Sequence, residues 1–425
     1  MQDFNGISHG LDATWVSSIK QKLLQKPKML KGSSGSRSCS IHSVPWCFRR
    51  SNPTAFHPQI LSIGPFHLGK EILQAMEEHK WKYLQSIMLS GPAANEYCLE
   101  LEVYLTAAKE WEESARRCYS ETICLSSNEF VEMLVVDGFF IIQLLLKAAG
   151  LVPIDESDPI FKIPWIIPRL RSDLLLLENQ IPFFVLQQLF DLMHVPNTSL
   201  ACLAAQFLKP SLPDYNQSAL EKLVVHDCGH LLHLLHSILL PETASARDKH
   251  IGEKKHTSPQ MIFSASELRE AGVEFKIGQA SSFLGIKFHK RAIEIPALSI
   301  QDCTGTLLLN LIMFEQCYSG CTAPVVAAYA SFMKCIVSSE KDAAILRRSR
   351  IIDSVVGGGD EEVAQLFKEI SELASIAPAP TESYLQDAIT AVDRYYRTDG
   401  RARRARMKNK YFRDPWPIVS CFLGA

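Results

Sequence analysis

The chain has 425 residues, 47% hydrophobic and 21% charged, and its 44 Lys+Arg against 46 Asp+Glu leave a formal charge of −2. That balance excludes a disordered polyampholyte and a fibrous repeat, and it supplies no field that would draw nucleic acid. The length exceeds the roughly 250–300 residues at which single cores tend to divide, so one large core with appendages or two lobes is expected.

In chain order, Trp15, Ile19 and Leu23 recur at helical spacing and predict an amphipathic helix over 12–26, within an N-terminal segment 1–30. Residues 31–40 form a Ser/Gly linker. The main body is expected from 41 to 397. Pro45, Pro53, Pro58 and Pro65 keep its first 29 residues, 41–69, irregular or extended. Helices are predicted over 71–89, 96–119, 128–149 and 172–192, the last kinked or split by Pro182. Period-two alternation over 273–296 predicts a small antiparallel meander. Helices resume at 305–319, 324–338 and 341–356, and Asp360 opens another with Glu361 and Glu362 in its first turn. The fold class is therefore mainly α, a large multi-helix domain with a small antiparallel β meander at about 273–296.

Residues 398–425 read as a basic tail with the start of a membrane helix. Arg401, Arg403, Arg404, Arg406, Lys408 and Lys410 stand without an intervening acid, and with Trp416 they are candidates for contact with an anionic membrane surface. The residues after Pro417 are too few to span a bilayer, and Gln2 excludes N-myristoylation. The first residues lack a basic, then apolar, secretory pattern, and the 12 cysteines contain no C-x-x-C pair, which predicts reduced thiols in a cytoplasmic or peripherally membrane-bound protein.

Phosphate-loop, nucleophile-elbow and zinc-protease signatures are absent from the sequence. The polar residues that stand out are those in apolar surroundings: Asp137, Glu178 with Asn179 and Gln180, and Glu315 with Gln316. A carboxylate there must find donors or raise its pKa. One reading is an acid pair for general acid/base work. The other, preferred in the absence of a nucleophile or metal site, is a buried polar network with Arg49, Arg171 or His67 as donors. His226, His230, His233 and His236 fall in one predicted helix. His226 and His230 have metal-pair spacing, and with His233 they share one side, opposite the leucines. A metal site there is set against an ordinary polar face, and the polar face is preferred. No metal or cofactor is expected.

Seven ordered segments resemble the plant domain-of-unknown-function 247 family. They are Val44-Pro45 to Phe56 and Pro58, then Ser62-Ile63-Gly64-Pro65-Phe66-His67; Met76-Glu77 with Lys80; Glu129 to Leu134 with Asp137-Gly138-Phe139-Phe140; Asp173 with Leu177-Glu178-Asn179-Gln180-Ile181-Pro182-Phe183-Phe184; Ser266 to Val273; Asn310-Leu311-Ile312 with Phe314-Glu315-Gln316-Cys317; and Tyr411-Phe412 with Asp414-Pro415-Trp416. The resemblance implies a plant protein without an established enzymatic activity. Many of its relatives carry a C-terminal membrane helix, and some grass members are associated with self-incompatibility. It points to a non-enzymatic recognition or signalling protein that acts through an unidentified protein partner. The alternative is an uncharacterised hydrolase or transferase using the buried carboxylates.

Overall fold

The computed structural model describes residues 14, 17–18, 39–89, 101–211, 228–241, 263–280, 282–318, 324–354, 359–374 and 383–398. Thr14, Ser17 and Ser18 are helical. The remainder of the expected 12–26 helix, the linker to residue 38, and the tail from 399, with all its basic residues and Trp416, lie outside the described residues. Among the described residues the fold is mainly helical, as the sequence predicts.

The first half of the chain is organised around one helix. After α1 (Trp46–Arg49) come α2 (Gln74–Leu89), α3 (Leu101–Arg117) and α4 (Ser127–Ala148), followed by α5 (Pro159–Lys162), α6 (Ile166–Asp173), α7 (Phe183–Leu192) and α8 (Leu200–Leu208). Ser126 starts α4 with a reciprocal capping box, its side chain accepting from the Glu129 amide while Glu129 accepts from the Ser126 amide. Residues 133–147 of α4 are all buried, so this stretch of the helix has no solvent face. It packs against α2, α3, α7 and α8. A helix apolar on every side must be covered on every side.

The second half contains α9 (Leu231–Leu239), α10 (Ala265–Glu270), β1 (Glu274–Ile277), β2 (Lys287–His289), β3 (Ala292–Ile295), β4 (Leu298–Ile300), α11 (Thr304–Cys317), α12 (Val325–Ile336), α13 (Glu340–Arg348), β5 (Ile352–Ser354), α14 (Asp360–Ala374) and α15 (Gln386–Thr398). Here α14 packs on α11, α12 and α13, while α9 touches both α8 and α11 and so joins the halves. A single apolar cluster runs from Ile41 to Val392.

Three local expectations are corrected. The sheet at 273–296 is mixed: β1 runs parallel to β3, with Glu274 opposite Ala292, and only β2 is antiparallel to β3. Phe283 and Leu284, predicted as strand, turn inward and are fully buried, Phe283 lying edge-on to Tyr329 at 5.1 Å. The chain therefore crosses instead of doubling back. The helix expected over 341–356 stops at Arg348. Arg350 adopts φ 56°, after which the buried Ile351 and Ile352 enter a short parallel pairing of β5 with β4. The helix expected over 172–192 is split, as Pro182 at the N-cap of α7 predicts, but the break is wider than expected: residues 174–182 are irregular yet buried.

Gly64 marks the tightest approach in the first half. Its φ is +74°, and a Cβ there would stand 2.3 Å from the Gln180 carbonyl oxygen. Gly69 has φ +79° but open space around it. Gly64→Ala should therefore destabilise by about 2–5 kcal/mol, combining left-handed backbone strain with overpacking. Gly69→Ala should cost about 1–2 kcal/mol. Denaturant unfolding of the two variants checks this, and equal losses would contradict it.

Candidate functional site

Two buried stretches without regular secondary structure, residues 61–64 and 174–182, run through the first half. Buried peptide groups need partners, and these stretches have no ladder to provide them. Side chains do so instead. Asp173, the last residue of α6, accepts from the amides of Gln59 (2.9 Å), Ile60 (2.8 Å) and Leu61 (2.9 Å). Asn179 donates to the Leu61 carbonyl (2.9 Å) and accepts from the Ile63 amide (2.7 Å), as a neighbouring strand would. Asp137 on α4 accepts from the Gly64 amide at 2.7 Å. Lys80 on α2 donates to the Ser62 carbonyl, to Asp137 (2.7 Å) and to Glu77 (2.7 Å), so each of its ammonium hydrogens is used.

The second stretch is held in the same way. Gln180 donates to the carbonyls of Leu174 (2.7 Å) and Leu176 (2.8 Å) and accepts from the Leu231 amide at 3.1 Å, which ties it to α9. Asn310 on α11 accepts from the Leu177 amide (2.9 Å) and donates to the Ala55 carbonyl (2.8 Å). Glu178 accepts from the Val44 amide at 2.6 Å and from Arg49, which also holds the Val44 carbonyl at 3.1 Å. Opposite Glu178, His67 Nε2 stands 3.6 Å from Oε2. The Lys70 ammonium, which can only donate, lies 2.7 Å from His67 Nδ1 and so leaves the ring hydrogen on Nε2, facing the carboxylate.

Burial pushes the Glu178 and Asp173 carboxyls upward, against the amides and, at Glu178, Arg49 that favour the ionised form. At Lys80 burial acts downward, but Asp137 and Glu77 outweigh it and the ammonium is held above its usual range. Burial, with the Lys70, His57 and Arg49 charges nearby, lowers His67 to about 3. His67 is a neutral ring in the folded protein.

The expected network is thus buried as anticipated at Asp137, Glu178, Asn179, Gln180 and Glu315. It is not a cluster of acids. Glu315 lies elsewhere, accepting from His236 (2.9 Å) and from the Val326 and Ala327 amides (2.8 and 2.9 Å), where it satisfies the first turn of α12. Gln316 is only half-buried, and its amide nitrogen has no partner among the described residues. Arg49 and His67 do face Glu178, whereas Arg171 does not: its guanidinium lies 4.9 Å over the Phe207 ring.

Sequence reading missed Lys80, Asp173 and Asn310 as network members. For Lys80 a signal existed. It falls four residues after Met76 and three before Tyr83, on the face that buries Met76, Tyr83, Leu84 and Ile87. A lysine inside an apolar stripe calls for a buried acid.

The histidines also depart from expectation. His226 lies outside the described residues. α9 begins only after His230, which caps it, accepting from the His233 amide on Nδ1 and bonding the Ser40 carbonyl through Nε2 at 2.9 Å. His230 and His236 are buried, and His233 is half-buried beside Phe314 and Tyr318. The polar-face reading is therefore corrected: α9 is enclosed between α8 and α11, and its histidines face protein groups. Burial, followed by the neighbouring His233, pushes His230 well below its ordinary range. Among the described residues no group of three His, Cys, Asp or Glu is placed to hold a metal.

A cavity of about 600 Å3 opens between α2, α3 and α4, walled by Trp81, Leu84, Leu101, Leu105, Val131 and Val135. None of the buried carboxylates lines it.

Lys80→Met leaves Asp137 buried without its counter-ion and should cost about 3–5 kcal/mol. Lys80→Met with Asp137→Leu should lose less than the sum of the two single changes, and additive losses in denaturant melts would contradict the pairing. Linkage gives a second expectation. A histidine whose folded pKa lies below its unfolded value stabilises fully above about pH 6.5, and this is lost as pH falls towards the folded value. His67→Gln should therefore reduce the decline of stability between pH 6 and pH 5 by up to about 1.4 kcal/mol per pH unit. Parallel stability profiles for wild type and variant would refute it.

The family model described as "Plant protein of unknown function" matches residues 41–425. The chain is 32% identical over 414 residues to UPF0481 protein At3g47200 of Arabidopsis thaliana, covering 93% of this chain and 85% of that protein. It is 20% identical over 516 residues to Putative UPF0481 protein At3g02645 of the same plant, covering 98% and 93% of the two chains. No solved structure matches. With the family model spanning nearly the whole described fold, this chain belongs to the plant family of proteins of unknown function known as DUF247.

Proposed function

We propose that the protein is a non-enzymatic recognition or signalling component that works by binding protein partners. The observation that carries this reading is the apolar groove between α2, α3 and α4. It is large enough for a row of side chains and offers no acid–base pair. The carboxylates that a hydrolase or transferase would need are engaged by backbone amides of their own scaffold, in separate places. An acid occupied in this way has little freedom to exchange a proton with a substrate. Self-incompatibility, associated with some grass relatives, would be one setting for such recognition.

For localisation we favour a cytoplasmic or peripherally membrane-bound protein, with the basic residues 401–410 meeting anionic lipid. Among the described residues no helix is long and apolar enough to cross a membrane.

The test uses the full chain as bait in native plant tissue, beside Trp81→Ala and Leu101→Asp. Both residues line the groove and are exposed at the surface, 47% and 37% respectively, so these changes should leave thermal melting nearly unchanged. The expected outcome is a defined partner set that the wild type retains and both variants lose. Identical capture by wild type and variants, or multiple turnover of a substrate abolished by Glu178→Gln in a folded protein, would reject the recognition reading.

A further inference from the structure

We infer that the groove between α2, α3 and α4 is a docking site for the chain's own N-terminal amphipathic helix, residues 12–26. The inference deepens the recognition reading above by assigning the groove an occupant in cis, which a partner helix would have to displace.

The groove has the form an amphipathic helix fits. α2 and α3 both pack on α4, whose Val131 and Val135 form the floor, while Trp81, Leu101 and Leu105 form apolar walls. Trp81 and Leu101 remain substantially exposed, an unfavourable state for large apolar groups on facing walls. The N-terminal segment offers a matching stripe in Trp15, Ile19 and Leu23. Thr14, Ser17 and Ser18 are helical and exposed. At about 100° per residue Thr14 and Ser17 lie on the side opposite that stripe, and Ser18 lies at its flank.

Charge agrees with the fit. Lys22 and Lys20 flank the stripe on its two sides, about 60° and about 100° from its centre at about 100° per residue. The groove lining includes Glu110 and Glu132, both exposed and without an ion-pair partner among the described residues. Lys109, also in the lining, is already paired with Glu112 at 3.2 Å.

The tether has the right length. Ile41 is fastened beside Tyr119, just beyond the C-terminal end of α3. The groove residues of α3 lie in its N-terminal half, roughly 15–27 Å back along the helix at about 1.5 Å per residue. The residues between Lys26 and Ser40 form a chain rich in Ser and Gly. Its root-mean-square span is about 20 Å, so the helix would be presented to the groove at roughly millimolar effective concentration.

Zero-length carbodiimide crosslinking of the intact chain, with peptide mapping of the monomer band, tests the assignment. The expected products join Lys20, Lys22 or Lys26 to Glu110 or Glu132. Ile19→Asp should reduce their yield at least tenfold. Glu110→Gln with Glu132→Gln should abolish them. Absence of these products from the wild-type monomer, their appearance only in a crosslinked dimer, or full retention in Ile19→Asp would each overturn the proposal. Partner capture that depends on Trp81 and Leu101 could still stand in that event, and the recognition reading would survive without the cis helix.

Discussion

The structure depends on supplying hydrogen-bond partners to peptide groups that are buried but belong to no helix or sheet. Residues 61–64 cross the interior of the first half, and residues 174–182 follow α6 through the same interior. Each unsatisfied peptide group there would cost on the order of 1–3 kcal/mol. Asp173, Asn179, Asp137 and Lys80 hold the first stretch, and Gln180 and Asn310 hold the second. The polar side chains are inside because irregular backbone is inside.

That constraint reorganises the electrostatics of the core. Asp137 pairs with Lys80, and Glu178 is held between Arg49 and the Val44 amide. A histidine beside this machinery is kept neutral by burial and by Lys70. Glu315 repeats the principle in the second half, where a carboxylate closes the open amides of α12 and fixes His236 of α9 against α11. Ionisable groups that resemble a catalytic inventory in the sequence thus act as fasteners between segments far apart in the chain. Among the described residues, a cleft with apolar walls opens to the outside between α2, α3 and α4.

The two halves are joined by α9, which lies between α8 and α11 and receives Gln180 at its first amide. Its histidines therefore belong to the join and not to a solvent face. His230 reaches the Ser40 carbonyl at 2.9 Å and so fastens the entry of the main body to the same place.

The sequence by itself determined the helical class and the presence of buried polar positions at Asp137, Glu178 and Glu315. Each of these follows from local spacing or from the cost of placing a charge among apolar neighbours. Tertiary structure alone decided the partners. Asp173 finds amides more than a hundred positions away, at Gln59, Ile60 and Leu61, and Asn310 lies 255 positions from Ala55. No local pattern encodes such pairings. It also decided that β1 lies parallel to β3, because the burial of Phe283 and Leu284 carries the chain across the sheet. Helix α9 shows the same limit: periodicity separates its histidines from its leucines, but only packing between α8 and α11 determines that both sides are covered.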